Sequence, residues 1–286
     1  IKEVLWMEAF KIMEWNINHR QGYSNINMPE WVATVIREEN ADADIIILTE
    51  CSSNVPNWET IKNRMFADKK YFVFESFNNQ GHQNDVLIAV KKDRFSVKCT
   101  KSYYSMSFAT PDHLEVQCKT KAGTEITVIG LRMHAYKPTD HNDEIKCDEF
   151  RTIIDSVKDK EIVIIGGDFN NYRRGCTWRK WCLNRIDEIC KKSGFIRYTP
   201  NGSSIYEDYT ENSPNAFAED HFIVKGAHSV LVEPYNRSFV HKDTIIYRWG
   251  RDFQQYCGKD ILGNNIYESV SDPYPDHAIL AAEISI

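Results

Sequence analysis

Apolar residues in this chain gather in short unbroken runs separated by amphipathic stretches. Ile162-Val163-Ile164-Ile165 sets four branched side chains in a row, which fits a strand covered on both faces. Ile45-Ile46-Ile47-Leu48, Ile126-Thr127-Val128-Ile129, Phe222-Ile223-Val224 and Ala278-Ile279-Leu280-Ala281-Ala282 repeat the pattern, and Ile12-Met13 begins another run near the front. Helical stripes lie between them. Trp31, Val32, Val35 and Ile36 share one face of a segment beginning near Pro29, which Asn27 can cap. Phe150, Ile153, Ile154 and Val157 form a second stripe, and Trp178, Cys182, Leu183, Ile186, Ile189 and Cys190 a third. Strands alternating with helices predict an α/β fold. From about Ser238 to Asp272 aromatic and polar residues mix without a period, which predicts loops and short strands. No low-complexity stretch, solenoid-period repeat or linker interrupts the chain, so residues 1–286 read as one domain.

Several runs end in chemistry. Ile162–Ile165 is followed by Gly166-Gly167-Asp168-Phe169-Asn170, where glycines let the backbone turn and Asp168 and Asn170 project together. Hard oxygen donors at a strand edge suit Mg²⁺ or phosphate chemistry. The second run closes on Thr49-Glu50, the next on Met133-His134, and the front one on Trp15-Asn16-Ile17-Asn18. Glu219-Asp220-His221 and Pro275-Asp276-His277 stand just before the last two runs. Each piece alone has a structural explanation, since Gly-Asp is also turn chemistry; six in order are hard to explain as chance.

In order and spacing, these six pieces resemble the endonuclease/exonuclease/phosphatase superfamily, whose fold is that of pancreatic deoxyribonuclease I, over nearly the whole chain. The resemblance implies a four-layer α/β sandwich of two packed mixed sheets flanked by helices, with the active site at its top. It implies a divalent cation, Mg²⁺ with Mn²⁺ as substitute, held by Asn16 and Glu50, with Asp276 as a further ligand or a brace. Two roles stay open for Asp168 and Asn170: activating water and orienting the phosphate, or standing nearer a second metal. The resemblance pairs His277 with Asp220 as a carboxylate-oriented imidazole, and puts His134 at the scissile phosphate or the leaving group. Which histidine is base and which acid stays open. His221 alternates with Asp220 on a strand and so points away from the site.

Hydrolysing a phosphodiester needs a metal to neutralise phosphoryl charge, a base for water and stabilisation of the leaving oxygen, and the inventory supplies each. Behind Asn170, residues 171–185 carry Arg173, Arg174, Arg179, Lys180 and Arg185 with no acid, interleaved with Tyr172, Trp178 and Trp181. Arg forks bind phosphate and aromatic faces stack on bases, so Arg173 and Arg174, nearest the motif, are candidate substrate-binding residues; a helix with core Trp and solvated Arg is the alternative. A formal charge of -6 and pI near 5.9 argue against a long sequence-indifferent nucleic-acid surface. Eight cysteines without a C-x-x-C pair point to free thiols in a reducing, cytoplasmic setting. No apolar stretch approaches the ~20 residues that span a bilayer, and no membrane-inserting hairpin is visible. The expectation is a monomeric metal-dependent nuclease with a nucleic-acid or nucleotide partner. The alternatives are a phosphatase or phosphodiesterase of a small or lipid phosphoester, and a non-catalytic binding domain of the same fold.

Overall fold

The branched apolar runs become the central strands of two six-stranded sheets. The structure, a computed structural model, describes residues 8–17, 27–28, 30–51, 56–76, 85–103, 112–135, 138–205, 216–236, 239–241, 244–246, 253–259, 261–263, 265–270 and 275–286. Asn18 of the first motif lies outside them. The chain opens with β1 (Ala9–Asn16), α1 (Glu30–Thr34, continued by a π-helical turn at Val35–Glu39), β2 (Ile45–Cys51), α2 (Trp58–Met65), β3 (Tyr71–Glu75) and β4 (Asp85–Lys91). There follow β5 (Phe95–Tyr103), β6 (Asp112–Thr120), β7 (Glu125–Arg132), α3 (Asp140–Val157), β8 (Ile162–Asp168), α4 (Leu183–Lys192) and β9 (Ile196–Tyr198). The last strands are β10 (Asp220–Lys225), β11 (Ser229–Val232), β12 (Phe239–His241), β13 (Thr244–Ile246), β14 (Phe253–Lys259), β15 (Asn265–Val270) and β16 (Leu280–Ser285).

One sheet has the order β11-β16-β1-β2-β4-β3, the other β5-β6-β7-β8-β10-β9. Each is built on a parallel pair, β1 with β2 and β7 with β8, whose neighbours run antiparallel. That pattern decides where chemistry collects. The C-terminal ends of β1, β2, β7 and β8 and the N-terminal starts of β10 and β16 lie at one edge of the sandwich, as the registers Asn16↔Thr49, Arg132↔Asp168 and Asp220↔Asp168 show. The expected four-layer α/β sandwich is the observed architecture.

The sheets meet over a notch. Gly130 and Gly166 are register partners on β7 and β8, and the Ile47 side chain of β2 enters the space they leave. A methyl on Gly130 would stand 2.5 Å from Val86 Cγ1 and 3.0 Å from Ile47 Cγ2; one on Gly166, 2.8 Å from Ile47 Cδ1. Farther along β8, a methyl on Gly167 would lie 1.8 Å from the Leu131 carbonyl oxygen, so only glycine lets β8 turn toward the rim there.

Outside the second sheet, Thr139 caps α3 by accepting the Asn142 N–H at 3.2 Å. The predicted stripe Phe150, Ile153, Ile154 and Val157 is buried as expected. The third stripe needs correction. Residues 171–182 form an irregular loop, so helical spacing does not govern them: Trp178 is 77% exposed, and the buried ring is Trp181. Trp181 donates its indole N–H to the Phe169 carbonyl at 2.8 Å and packs edge-on against Phe150.

Residues 239–270 hold the expected short strands as two hairpins, β12–β13 and β14–β15. The second hairpin was not visible in the sequence as an apolar-tipped one; Ile261 and Leu262 stand exposed at its turn. Among the described residues no helix is long and apolar enough to cross a membrane, and seven cysteines are free thiols.

Val86 is stiff at χ1, so the notch cannot open cheaply. Gly130→Ala is expected to lower unfolding free energy by about 1–3 kcal/mol, the usual cost of overpacking, read as a lower urea midpoint at unchanged slope. An unchanged midpoint would mean that the sheets do not meet closely there.

Candidate active site

Strand ends alone do not aim side chains, and at this rim local backbone devices complete the job. The β2–β4 ladder slips between Leu48 and Cys51, and Glu50 adopts a left-handed backbone with φ 53°. Such a bulge re-aims a side chain. The Glu50 carboxylate is turned across to the other sheet, where Arg132 donates its Nε and Nη2 hydrogens to Oε1 at 2.9 and 2.6 Å. Both residues are buried.

Asp168 is the hub. Its Oδ1 accepts the backbone N–H of Asn170 at 2.8 Å, and its Oδ2 accepts the side-chain amides of Asn170 at 2.8 Å and Asn16 at 3.0 Å. Asn170, also left-handed at φ 44°, gives another amide hydrogen to the Met133 carbonyl at 2.7 Å. Both amide hydrogens of Asn170 are thereby engaged, and its Oδ1 is an acceptor. Met133 in turn donates its N–H to the Asp168 carbonyl at 2.8 Å, which fixes the half-buried His134 beside this turn. Burial pushes the Asp168 carboxyl up to about 6; Asp220 and Glu50 add to the rise while His277 and Arg132 oppose it.

His277 closes the site from the segment just before β16. Its Nδ1 lies 2.9 Å from Asp220 Oδ2, as the predicted pairing requires, and its Nε2 lies 3.5 Å from Asn16 Nδ2 and 4.0 Å from Asp276 Oδ1. Trp15 Nε1 donates to the His277 carbonyl at 3.0 Å, and the Tyr235 hydroxyl to the Asp220 carbonyl at 2.7 Å, so both partners are held by their backbones. Burial works against a charged imidazole here, but the Asp220 carboxylate outweighs it and holds His277 well above its ordinary range. His221 points away, as expected, into a buried network: its ring nitrogens lie 2.8 Å from Thr199 Oγ1 and 2.8 Å from Asn171 Oδ1.

Glu219 of the fifth motif and three charged residues outside the six motifs share this region. Glu14, two residues before Asn16 on the same face of β1, is fully buried; Thr49 donates to its Oε1 at 3.3 Å and its Oε2 has no hydrogen-bond partner. Burial, with Asp220 next, pushes its carboxyl far up. Glu219 is raised in the same way, by burial and then by Asp168. Arg132 is the last residue of β7, two before His134. Lys146 is buried on α3 and donates to the Asn170 carbonyl at 2.9 Å. The three outside the motifs, Glu14, Arg132 and Lys146, each carried a signal in the sequence, a charge placed inside an apolar run or stripe.

Asn16, Glu50, Asp168 and Asp276 offer oxygen, the donor chemistry of a hard divalent cation. The ligand atoms of Asp168, Asp220 and His277 lie within 4.8 Å of one another, although His277 Nδ1 is engaged by Asp220. The basic segment reads differently in space than in sequence. Arg179 pairs with Asp143 at 3.1 Å, Lys180 with Glu144 at 2.5 Å and Arg185 with Glu188 at 2.6 Å, so α3 and α4 provide the acids that the segment lacks. Arg174 is half-buried and donates to the Pro200 carbonyl. Arg173 is exposed, its guanidinium 4.5 Å from the centre of the Phe217 ring.

A model of the Endonuclease/Exonuclease/phosphatase family matches residues 13–249. A solved endonuclease/exonuclease/phosphatase family protein from Bacteroides thetaiotaomicron superposes with a TM-score of 0.65 at 16% identity, over 98% of this chain and 98% of its own. D. rerio TDP2, complexed with single strand DNA product, gives 0.58 at 14% identity, over 97% of this chain and 99% of its own. A mannosyl-6-phosphatase of Bacteroides thetaiotaomicron VPI-5482 gives 0.61 at 17%, over 96% and 99%. At these identities the likeness establishes the fold. No curated protein matches the sequence.

The His277–Asp220 pair has a direct spectroscopic consequence. Asp220→Asn removes the anion and leaves burial as the dominant influence, so the imidazole is expected to titrate below its ordinary value near 6.5, whereas in the wild type it stays protonated past neutrality. Titration of the His277 ring by NMR reads the change; an unmoved His277 would exclude Asp220 as its partner.

Proposed function

We propose that this chain, which belongs to the Endonuclease/Exonuclease/phosphatase family, is a divalent-metal-dependent hydrolase that cleaves phosphodiester bonds of DNA or RNA. The observation that carries the reading is the meeting of Asn16, Asp168, Asn170, Asp220 and His277 at one rim through bonds of 2.8 to 3.5 Å. Glu50, Asn16 and Asp276 would hold Mg²⁺, with Mn²⁺ as substitute. When bound, the cation neutralises charge on the phosphoryl oxygens.

The remaining roles fall to the chain. Asp168, held by three N–H donors, takes the proton of the attacking water. Asn170 orients that water or the cation through Oδ1. His277, kept cationic by Asp220, stabilises the phosphoryl group and supplies a proton on the leaving-group side, with His134 as the second contact to the phosphate. Arg173 and Arg174 would serve as substrate-binding residues. The TDP2 neighbour with its single strand DNA product supports a nucleic-acid strand as substrate. The chain would act as one domain and as a monomer, in the cytoplasm, in keeping with its free thiols.

A second reading is favoured by the basic segment. Three of its five cations are paired with acids, so among the described residues this segment is not an extended cationic track, and a compact phosphoester such as a nucleotide or sugar phosphate also fits. The mannosyl-6-phosphatase neighbour supports this alternative.

A panel of plasmid, single-stranded DNA, RNA, an abasic oligonucleotide, inositol and sugar phosphates and a chromogenic bis-phosphodiester separates the two readings. Chelation of divalent ions is expected to abolish turnover, and Asp168→Asn and His277→Ala each to lower kcat by about 10²-fold or more. Near-normal rates in either variant would remove the assigned mechanism.

A further inference from the structure

Lys146 is a charged residue at this site that no motif supplies and no proton transfer uses. It sits on the apolar face of α3, in register with Cys147, Phe150, Ile153 and Ile154, where a methionine or leucine would pack without the cost of burying an ammonium. Lys146 is 4% exposed, and its Nζ reaches across to the turn just past β8 and donates to the Asn170 carbonyl at 2.9 Å. Burial lowers its pKa to about 8, while Glu219, Asp168 and Asp143 oppose the fall.

The residue it grips holds an uncommon backbone. Asn170 is one of three non-glycine residues with positive φ among those described, at 44°, a left-handed conformation that asparagine adopts more readily than other residues with a Cβ when local hydrogen bonds hold it. Three contacts hold Asn170 from the β7–β8 side: its N–H to Asp168 Oδ1, and its amide to Asp168 Oδ2 and the Met133 carbonyl. Lys146 secures the opposite side, from a helix outside the sheet. If the Asn170 peptide relaxed toward ordinary φ, its amide would leave Asp168, and Asp168 would lose two of its three donors at once.

We infer that Lys146 is a positioning residue, an anchor on α3 that keeps the Asn170 peptide in its left-handed turn and thereby orders the Asp168–Asn170 pair. The inference rests on the proposed catalytic role of that pair. Lys146 itself touches neither the reacting phosphorus nor the water.

The test is a double-mutant cycle on the chromogenic bis-phosphodiester. Lys146→Met is expected to lower kcat about 10- to 100-fold with KM little changed. Lys146→Arg, which keeps a cationic donor, is expected to recover most of the rate. In an Asn170→Ala background, where there is no side-chain amide left to aim, Lys146→Met is expected to add no further loss. If Lys146→Met does not fold, Lys146→Gln takes its place in the cycle, with a smaller loss in the same direction. Full additivity of the two losses, or normal turnover in the Lys146 variants beside a crippled Asn170→Ala, overturns the inference. Normal turnover in Asn170→Ala itself sinks the catalytic reading instead.

Discussion

The separation of the two sheets governs where everything else falls. Ile47 presses from the first sheet into the notch left by Gly130 and Gly166 in the second, so the centre of the sandwich is packed through a single layer of side chains. β2 is thereby fixed against β7 and β8, and the carboxylate at the end of one sheet meets the guanidinium at the end of the other at 2.6 Å. Proton transfers tolerate little slack, since acid, base and substrate must approach within about 2.6–3.2 Å. A side chain in the notch would wedge the sheets apart beneath the rim. Packing at the middle of the molecule therefore sets the accuracy of chemistry at its edge.

Charge at the rim is partitioned by partners. Electrostatic interactions strengthen where water is excluded, and here Arg132 faces Glu50, His277 faces Asp220 and Lys146 lies near Glu219 and Asp168. Glu14 has only a hydroxyl from Thr49, and its carboxyl is driven toward the neutral form. Burial thus raises the carboxyls of Glu14, Asp168 and Glu219 alike, with their charged neighbours deciding how far each one goes.

Much of this was legible in the chain. Apolar runs ending in Asn16, Glu50, His134 and Asp168 gave the strands and the candidate ligands, because a strand buried on both faces leaves chemistry only at its end. The pairing of Asp220 with His277 followed from the resemblance. The misplaced tryptophan was an error of period: helical spacing was read into residues 171–182, which form a loop, so Trp178 was put in the core that Trp181 occupies. The basic segment looked unneutralised because its acids, Asp143, Glu144 and Glu188, lie on α3 and α4 outside it. Arg132 and Lys146 escaped because each is a single charge inside an apolar pattern, and a sequence does not show which carboxylate or carbonyl it will reach.

The place of β16 has a consequence for synthesis. This strand, the last in the described chain, is interior to its sheet, lying between β11 and β1, and it follows directly on His277, whose contact with Asn16 joins residues 261 positions apart. Until the segment around residues 277–285 has emerged and threaded between its neighbours, β1 has a bare edge and Asp220 has no imidazole. A growing polypeptide of this sequence therefore lacks both the partner of that β1 edge and the Asp220–His277 pair until this segment is in place.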